Sequence, residues 1–217
     1  QYGHLPDFIM AGMFPVMLAI ALNRNDRWRW AWGGAAALLA MGVALSYGRA
    51  SLVMVAVETL TLAWLIRHQP GRCRLILSLV FLGAIVILLM PGVMARLVSL
   101  ANPGQGTAGY RLQQWRGVMS LIAQSPFLGY GPGSFSTIAP AAGLRVDVCP
   151  HNFYLHVVVE CGLPALFIFL GGTCYALGRV YRAFEPARVG DCDYRNGLRM
   201  AGLAVAAGLL VFGMFDT

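Results

Sequence analysis

Charged residues are scarce in this sequence. Only 12% of its 217 residues are Asp, Glu, Lys or Arg, whereas 58% are hydrophobic. A typical soluble domain carries about 25% charged residues. The shortage of charge, together with long apolar runs, argues against an ordinary soluble enzyme and predicts an integral membrane protein.

Lysine is absent, so all 16 basic residues are arginine. The net charge of +7 would suit a nucleic-acid-binding protein if the arginines formed one basic patch. They are instead spread through short segments between apolar runs, where basic residues commonly set the orientation of a membrane protein. We therefore predict membrane lipids as surroundings and no nucleic-acid partner.

The cysteine pattern lacks pairs. The five cysteines are an odd number and form no C-x-x-C motif. We predict neither a disulfide framework nor a metal site, and no cofactor. The chain opens on Gln1 without Met or a signal peptide, so we expect a fragment of a longer chain.

Six apolar segments predict membrane helices: residues 8–22, 30–45, 52–66, 75–90, 157–181 and 197–215. Several are shorter than the roughly 20 residues that a span needs, although flanking Trp and Tyr can lengthen them at the interface. The predicted fold is an all-α, polytopic membrane helical bundle of about six spans. Residues 1–217 would form a single membrane domain.

Arginine counts predict the orientation. The linkers 23–29, 67–74 and 179–196 carry ten arginines in 33 residues, whereas the 61-residue segment 91–151 carries four. Cytoplasmic linkers are enriched in Arg and Lys, so the three linkers should face the cytoplasm. Residues 91–151 would then form a periplasmic loop, with Arg49 and Asp216 on the same side.

The long loop contains an amphipathic pattern. Four apolar residues recur at helical spacing: Leu112, Trp115, Met119 and Ile122. This spacing predicts a helix from about Tyr110 to Ala123 that ends before Pro126 and lies near the membrane surface. Arg111 and Arg116 are five residues apart, roughly 140° around a helix of ~3.6 residues per turn. The two arginines therefore should not serve one site from this helix.

Two arginines are candidates for binding phosphate, because a guanidinium group can make paired hydrogen bonds to phosphate oxygens. Arg49 lies in the predicted turn of residues 46–51, beside Gly48, and Arg111 lies on the amphipathic helix. Each has a plainer interpretation. Arg49 could contact lipid headgroups, and Arg111 could be a solvated helix residue.

His151 follows Pro150 at the predicted start of the fifth apolar segment. A neutral imidazole there could accept a proton from a hydroxyl nucleophile. The alternative is a histidine satisfied by hydrogen bonds at a helix cap. Asn152 could orient His151 or simply cap the helix.

Carboxylates and glycines add further candidates. Glu58 and Glu160 lie within apolar segments, where carboxylates are costly and often functional, although interhelical hydrogen bonding is the plainer interpretation. Gly129-x-Gly131-x-Gly133 follows no strand, so it is not a dinucleotide fingerprint. It predicts a turn whose backbone N–H groups could bind an anion.

Three motifs together resemble the O-antigen ligase and polymerase family of bacterial envelope enzymes. They are Ser46-Tyr47-Gly48-Arg49, then Arg111-x-x-x-Trp115 with Pro126 to Phe135, then His151-Asn152-x-Tyr154-Leu155 with Glu160-x-Gly162-Leu163-Pro164. The resemblance covers roughly residues 40–180, and one glycine in the second motif is more tightly spaced than usual. Family members have about twice as many spans, so the resemblance leads us to expect that their N-terminal half and C-terminal tail are missing from this sequence.

The resemblance implies an inverting, metal-independent glycosyltransferase of the multi-spanning C type in the bacterial inner membrane. Its donor would be a glycan on undecaprenyl pyrophosphate. A ligase would transfer this glycan to lipid A–core in lipopolysaccharide assembly. An O-antigen polymerase or a protein O-oligosaccharyltransferase would use the same donor with another acceptor.

The resemblance also implies roles for single residues. Arg49 and Arg111 would bind the pyrophosphate, and His151 would activate or orient the acceptor hydroxyl. Further candidates for contacts with the pyrophosphate or the acceptor are Arg116, Asn152, Tyr154, Glu160 and Asp216. A lipid-glycan or solute transporter is the alternative class. It would place its polar residues near the bilayer midplane, where Glu58 is the main candidate.

Overall fold

The computed structural model describes residues 5–24, 26–46, 48–69, 72, 76, 107–144, 150–184 and 194–215. Its α-helices are α1 (Leu5–Leu22), α2 (Trp28–Ser46), α3 (Arg49–Leu65), α4 (Thr107–Gln124), α5 (Phe135–Ile138), α6 (Phe153–Arg182) and α7 (Tyr194–Phe212). A 3-10 helix, Ala139–Ala142, follows α5. These described ranges contain no strand, so the all-α prediction is confirmed for them.

Within the described ranges, two helices are long and apolar enough to cross a membrane, namely Phe153–Arg182 and Tyr194–Phe212. Pro6–Leu22 and Ala50–Leu65 are shorter apolar helices. Five of the six predicted segments are therefore helical, while the segment 75–90 lies outside the described residues apart from position 76. The membrane character is supported, and the number of six spans stays a prediction.

The chain forms two compact units, which are described one at a time. The first unit comprises residues 1–93 and 177–212. In it, α1 packs against α2, α3 and α7, and α3 also packs against α7. Its core is built from apolar side chains of these helices, among them Phe14, Leu18, Leu62, Leu65, Met200 and Leu203.

The junction between α2 and α3 is shorter than the predicted turn of residues 46–51. Helix α2 continues to Ser46 and α3 begins at Arg49. Gly48 is extended, with φ −70° and ψ 103°, and a Cβ at this position would overlap the Asp7 carboxylate. A glycine at position 48 therefore lets the main chain pass beside Asp7.

The second unit comprises residues 94–176 and 213–217. Its core joins α4, α5, the 3-10 helix and the first turns of α6 through Val118, Leu121, Ile122, Phe135, Ala139, Leu144, Val158 and Val159. The predicted amphipathic helix is confirmed, since residues 107–124 form α4. Arg145 lies outside the described residues.

The apolar stripe of α4 is only partly buried in the second unit. Leu112 and Met119 are 49% and 54% exposed. The buried residues of α4 are Gln114, Val118, Leu121 and Ile122. This buried face includes a glutamine. It is therefore less apolar than the neighbouring stripe of α4 that contains Leu112 and Met119, and a count of apolar residues alone selects that stripe.

Helix α6 is broken near its start. Gly162 has φ 81° and ψ 171°, outside the helical region. Pro164 has no N–H group, so it cannot hydrogen-bond the carbonyl of Glu160 as a helical residue would. The apolar run that the sequence presents as one segment is therefore a short helix of residues 153–161 followed by a longer one.

Candidate functional site

In the second unit, the turn that contains Gly129, Gly131 and Gly133 packs on the break in α6. The N–H of Tyr130 donates to Val159 O at 3.0 Å, and that of Gly131 donates to Glu160 O at 2.8 Å. In return, the N–H of Leu163 donates to Pro126 O at 2.8 Å. The turn thus supplies the hydrogen bonds that the broken helix cannot make within itself.

Two glycines make this docking possible. A Cβ on Gly129 would lie 2.5 Å from the carbonyl carbon and oxygen of Glu160, and a Cβ on Gly162 would overlap Phe127 O. Both glycines also have positive φ, 65° and 81°, which side chains disfavour. The second and third sequence motifs therefore form one structural unit, with a glycine on each side of a close main-chain contact.

The Glu160 side chain fastens the other end of the turn. Its Oε1 accepts the N–H of Phe135 at 3.2 Å, and the backbone of Gly133 also hydrogen-bonds this carboxyl group. His156 Nε2 lies 3.1 Å from the same oxygen. The Glu160 carboxyl group thus accepts N–H groups at the end of the glycine-containing turn, and binding of a substrate anion by this turn stays a prediction. A contact between Glu160 and a substrate stays a prediction.

His151 occupies an unusual backbone conformation beside α4. Its φ is +51°, the one positive value outside glycine among the described residues. The indole Nε1 of Trp115 donates to Pro150 O at 2.9 Å. The half-buried His151 is therefore placed next to a direct contact between α4 and the turn that leads into α6.

Asn152 caps α6, as one of the two sequence interpretations expected. Its Oδ1 accepts the N–H of Leu155 at 3.1 Å, three residues ahead, as an N-cap side chain does. The N–H of Phe153 donates to Gly213 O at 2.7 Å. The start of α6 is thus fixed within two residues of His151.

The two arginines of α4 differ in surroundings, as their spacing predicted. Arg111 is half-buried, and its buried Nε has no hydrogen-bond partner in the described part of the chain. Arg116 is exposed. Arg111 and Trp115 are four residues apart and share one side of the helix. Arg111 therefore lies about one turn of α4 from the Trp115 contact.

The structure shows fewer contacts for the remaining candidate residues. Tyr154 is half-buried, with its ring edge against Phe153 at a centroid distance of 5.9 Å. Arg49 is the first residue of α3, in the first unit. Asp216 lies outside the described residues. The second unit thus collects Arg111, His151, Asn152, Tyr154 and Glu160 within one compact body.

Sequence reasoning missed Asp7. This residue is 2% exposed, lies against Gly48, and accepts a hydrogen bond from Ser51 Oγ at 3.0 Å. It is a buried acid at the helix junction that carries Arg49. An isolated Asp ahead of an apolar segment carries no sequence signal for this contact.

Glu58 is buried in the first unit with 0% exposure. Neither carboxyl oxygen has a hydrogen-bond partner in the described residues, so the expected interhelical hydrogen bond is not found there. The opposing position is Gly208 of α7, where a Cβ would lie 2.6 Å from Glu58 Cγ. Glu58 therefore fills space that a larger residue at 208 would need.

Comparison with known proteins agrees with the three motifs. The family model described as O-antigen ligase matches residues 34–170, which is 137 of 217 residues and includes all three motifs. None of the curated proteins matches the chain. The matched stretch contains the helix junction at Arg49, the turn docked on α6, and the Trp115 contact beside His151, and on this evidence the chain belongs to the O-antigen ligase family.

Proposed function

We propose that this protein transfers a glycan from undecaprenyl pyrophosphate to a hydroxyl group of lipid A–core, as an O-antigen ligase. The observation that carries the proposal is the placement of His151 beside the helix that presents Arg111. Family membership supports a membrane glycosyltransferase that uses lipid-linked glycans.

In the proposed reaction, the acceptor hydroxyl oxygen attacks the anomeric carbon of the donor sugar with inversion. The bond from that carbon to the pyrophosphate oxygen breaks, and undecaprenyl pyrophosphate leaves with the bonding electrons. His151 accepts the hydroxyl proton or orients the hydroxyl. One imidazole near the acceptor is sufficient for this proton transfer.

Negative charge grows on the pyrophosphate as the bond breaks. A guanidinium group that is already in place can stabilise this charge without a metal ion, especially where water is scarce. Arg111 suits this role, because its buried Nε has no hydrogen-bond partner among the described residues. Arg49 would supply the second positive charge.

Five other residues complete the proposed site: Arg116, Asn152, Tyr154, Glu160 and Asp216. Exposed Arg116 would contact a lipid phosphate or the outer part of the pyrophosphate. Asn152 and Tyr154 follow His151 at the start of α6 and would contact the acceptor. Glu160 and Asp216 are assigned to substrate by the family resemblance alone.

We place the enzyme in the bacterial inner membrane as a multi-pass protein, with residues 91–151 as a periplasmic loop and the site on the periplasmic face. The arginine-rich linkers support this orientation. An O-antigen polymerase or a protein O-oligosaccharyltransferase is the closest alternative, because both use the same donor. A transporter is less favoured, since among the candidates only Glu58 lies midway along its helix.

Transfer assays with the purified full-length protein test the proposal. Lipid-linked glycan is offered lipid A–core, a second lipid-linked repeat, or pilin, before and after treatment with a metal chelator. Product on lipid A–core that persists after chelation supports the ligase. Product only on the repeat or on pilin assigns the enzyme to the alternatives, and a requirement for added Mg²⁺ contradicts the arginine mechanism.

Variants test the residues. Arg49→Ala, Arg111→Ala and His151→Ala are expected to lower transfer by roughly a hundredfold, the usual scale for charge stabilisation or acid–base catalysis. Arg67→Ala and His68→Ala are matched controls at exposed positions and should retain wild-type transfer. Wild-type rates in both Arg49→Ala and His151→Ala would refute the proposed site.

A further inference from the structure

We infer that Trp115 is a positioning residue for His151, acting through its hydrogen bond to the carbonyl of Pro150. The inference rests on the proposed function of His151. The indole Nε1 lies 2.9 Å from Pro150 O, and that oxygen belongs to the peptide unit that joins Pro150 to His151. A peptide unit is planar, so holding its oxygen holds the whole plane.

The conformation of His151 needs such support. Its φ of +51° lies in the left-handed region, which is uncommon for residues with a side chain and persists where the surrounding structure specifies it. The proline ring fixes φ of Pro150, but not the rotation about its Cα–C bond. That rotation swings Pro150 O, and the Trp115 hydrogen bond opposes it.

The other side of His151 is held by different contacts. Asn152 caps α6 through the N–H of Leu155, and the N–H of Phe153 donates to Gly213 O at 2.7 Å. These contacts set the position of the chain after His151. Trp115 acts on the peptide group before His151. The peptide groups on both sides of His151 are therefore held in place, and its imidazole lies between them.

The same bond relates His151 to Arg111. Arg111 and Trp115 are one turn apart on α4, and a helix of this kind is rigid over one turn. A hydrogen bond from Trp115 therefore places the proposed proton acceptor at a set distance from the proposed phosphate ligand. This agrees with the spacing Arg111-x-x-x-Trp115, because residues three or four apart are neighbours on one side of a helix.

The test removes the indole N–H from the full-length protein and keeps the ring. Trp115→Phe is one variant. In the second, Trp115 is replaced by 3-benzothienyl-alanine, in which sulfur takes the place of N–H at nearly unchanged shape, so that a packing loss in the first variant does not decide the result. Trp30→Phe is the control, at a residue that is 68% exposed.

Two readouts are compared. The first is the rate at which diethyl pyrocarbonate modifies His151 across pH, measured by peptide mass spectrometry with His68 as internal reference and without substrate. The second is the kcat and KM for glycan transfer. We expect the benzothienyl variant to change the rate or pH midpoint of His151 modification and to lower kcat about tenfold, with donor KM nearly unchanged.

The outcomes separate this inference from the proposed function. Unchanged modification of His151 in the benzothienyl variant overturns the inference, whatever happens to transfer. Changed modification with unchanged kcat supports Trp115 as a positioning residue but removes His151 from the reaction. If the wild-type protein transfers no glycan, the proposed function fails, and the modification rates still decide the role of Trp115.

Discussion

Gly131 donates its backbone N–H to the carbonyl oxygen of Glu160 at 2.8 Å. Pro164, which follows Glu160 by four residues, cannot make that bond. A turn near residue 130 therefore completes the hydrogen bonding of a helix that begins more than twenty residues later. The docked turn and the broken helix should consequently gain or lose stability together.

Substitution of Gly162 tests this coupling. Gly162→Ala places a Cβ onto Phe127 O at a positive φ, so we expect a loss of at least about 2 kcal/mol in unfolding free energy and a matching loss of transfer. Gly172→Ala, in the same helix with open space around it, should be neutral or slightly stabilising. Thermal unfolding in detergent measures both, and equal melting temperatures would contradict the close contact.

Glu160 should stabilise the turn through its acceptor oxygens. Glu160→Ala removes the acceptor for the Phe135 N–H, and the expected cost is about 1–3 kcal/mol because a half-buried donor loses its partner. Glu160→Gln keeps one oxygen and should cost clearly less. Hydrogen exchange at the Phe135 amide reports the contact directly. Equal protection of that amide in wild type and Glu160→Ala would show that the carboxylate does not hold the turn.

The contact between Glu58 and Gly208 should limit the size of residue 208. Gly208→Leu is expected to destabilise the protein by about 1–3 kcal/mol, the usual range for overpacking. Gly202→Leu is the control on the same helix, where the space is open. In the double variant Glu58→Ala/Gly208→Leu, relief of the clash should appear as non-additivity of at least ~0.5 kcal/mol. Strict additivity would mean that the two positions do not compete for space.

Arg111 and Arg116 should respond differently to lysine. Arg111→Lys keeps the charge but loses the planar fork that binds phosphate oxygens in pairs, so transfer should fall about tenfold or more. Arg116→Lys, at an exposed position of the same helix, should stay within about threefold of wild type. Initial rates at saturating donor distinguish them. Equal losses at both positions would contradict the separate directions of the two side chains.

The helices were predictable because their signals are local. Apolar runs predict five of the helical segments, and helical spacing predicts α4. Asn152 after Pro150 predicts, as one of two interpretations, the capped start of α6. Each of these features depends on residues within a few turns of one another.

The contacts between segments were not predictable in the same way. Residues 157–181 contain the sequence Gly162-Leu163-Pro164, yet whether such a run bends or breaks depends on a partner for the carbonyl groups before the proline. That partner lies near residue 130. Asp7 beside Gly48 is likewise a long-range contact. Helical spacing of apolar residues also does not reveal which side of α4 is buried, because the helix buries Gln114 and exposes Met119.

The break at Gly162 also changes the hydrophobic length of α6. From Leu163 to Arg182 the helix has 20 residues, which at ~1.5 Å per residue reach about 30 Å, the thickness of a bilayer's hydrocarbon core. The remaining piece, from Phe153 to Cys161, is surplus to that thickness. The residues that include His156 and Glu160 are therefore not needed to cross a bilayer, because the rest of α6 is long enough by itself.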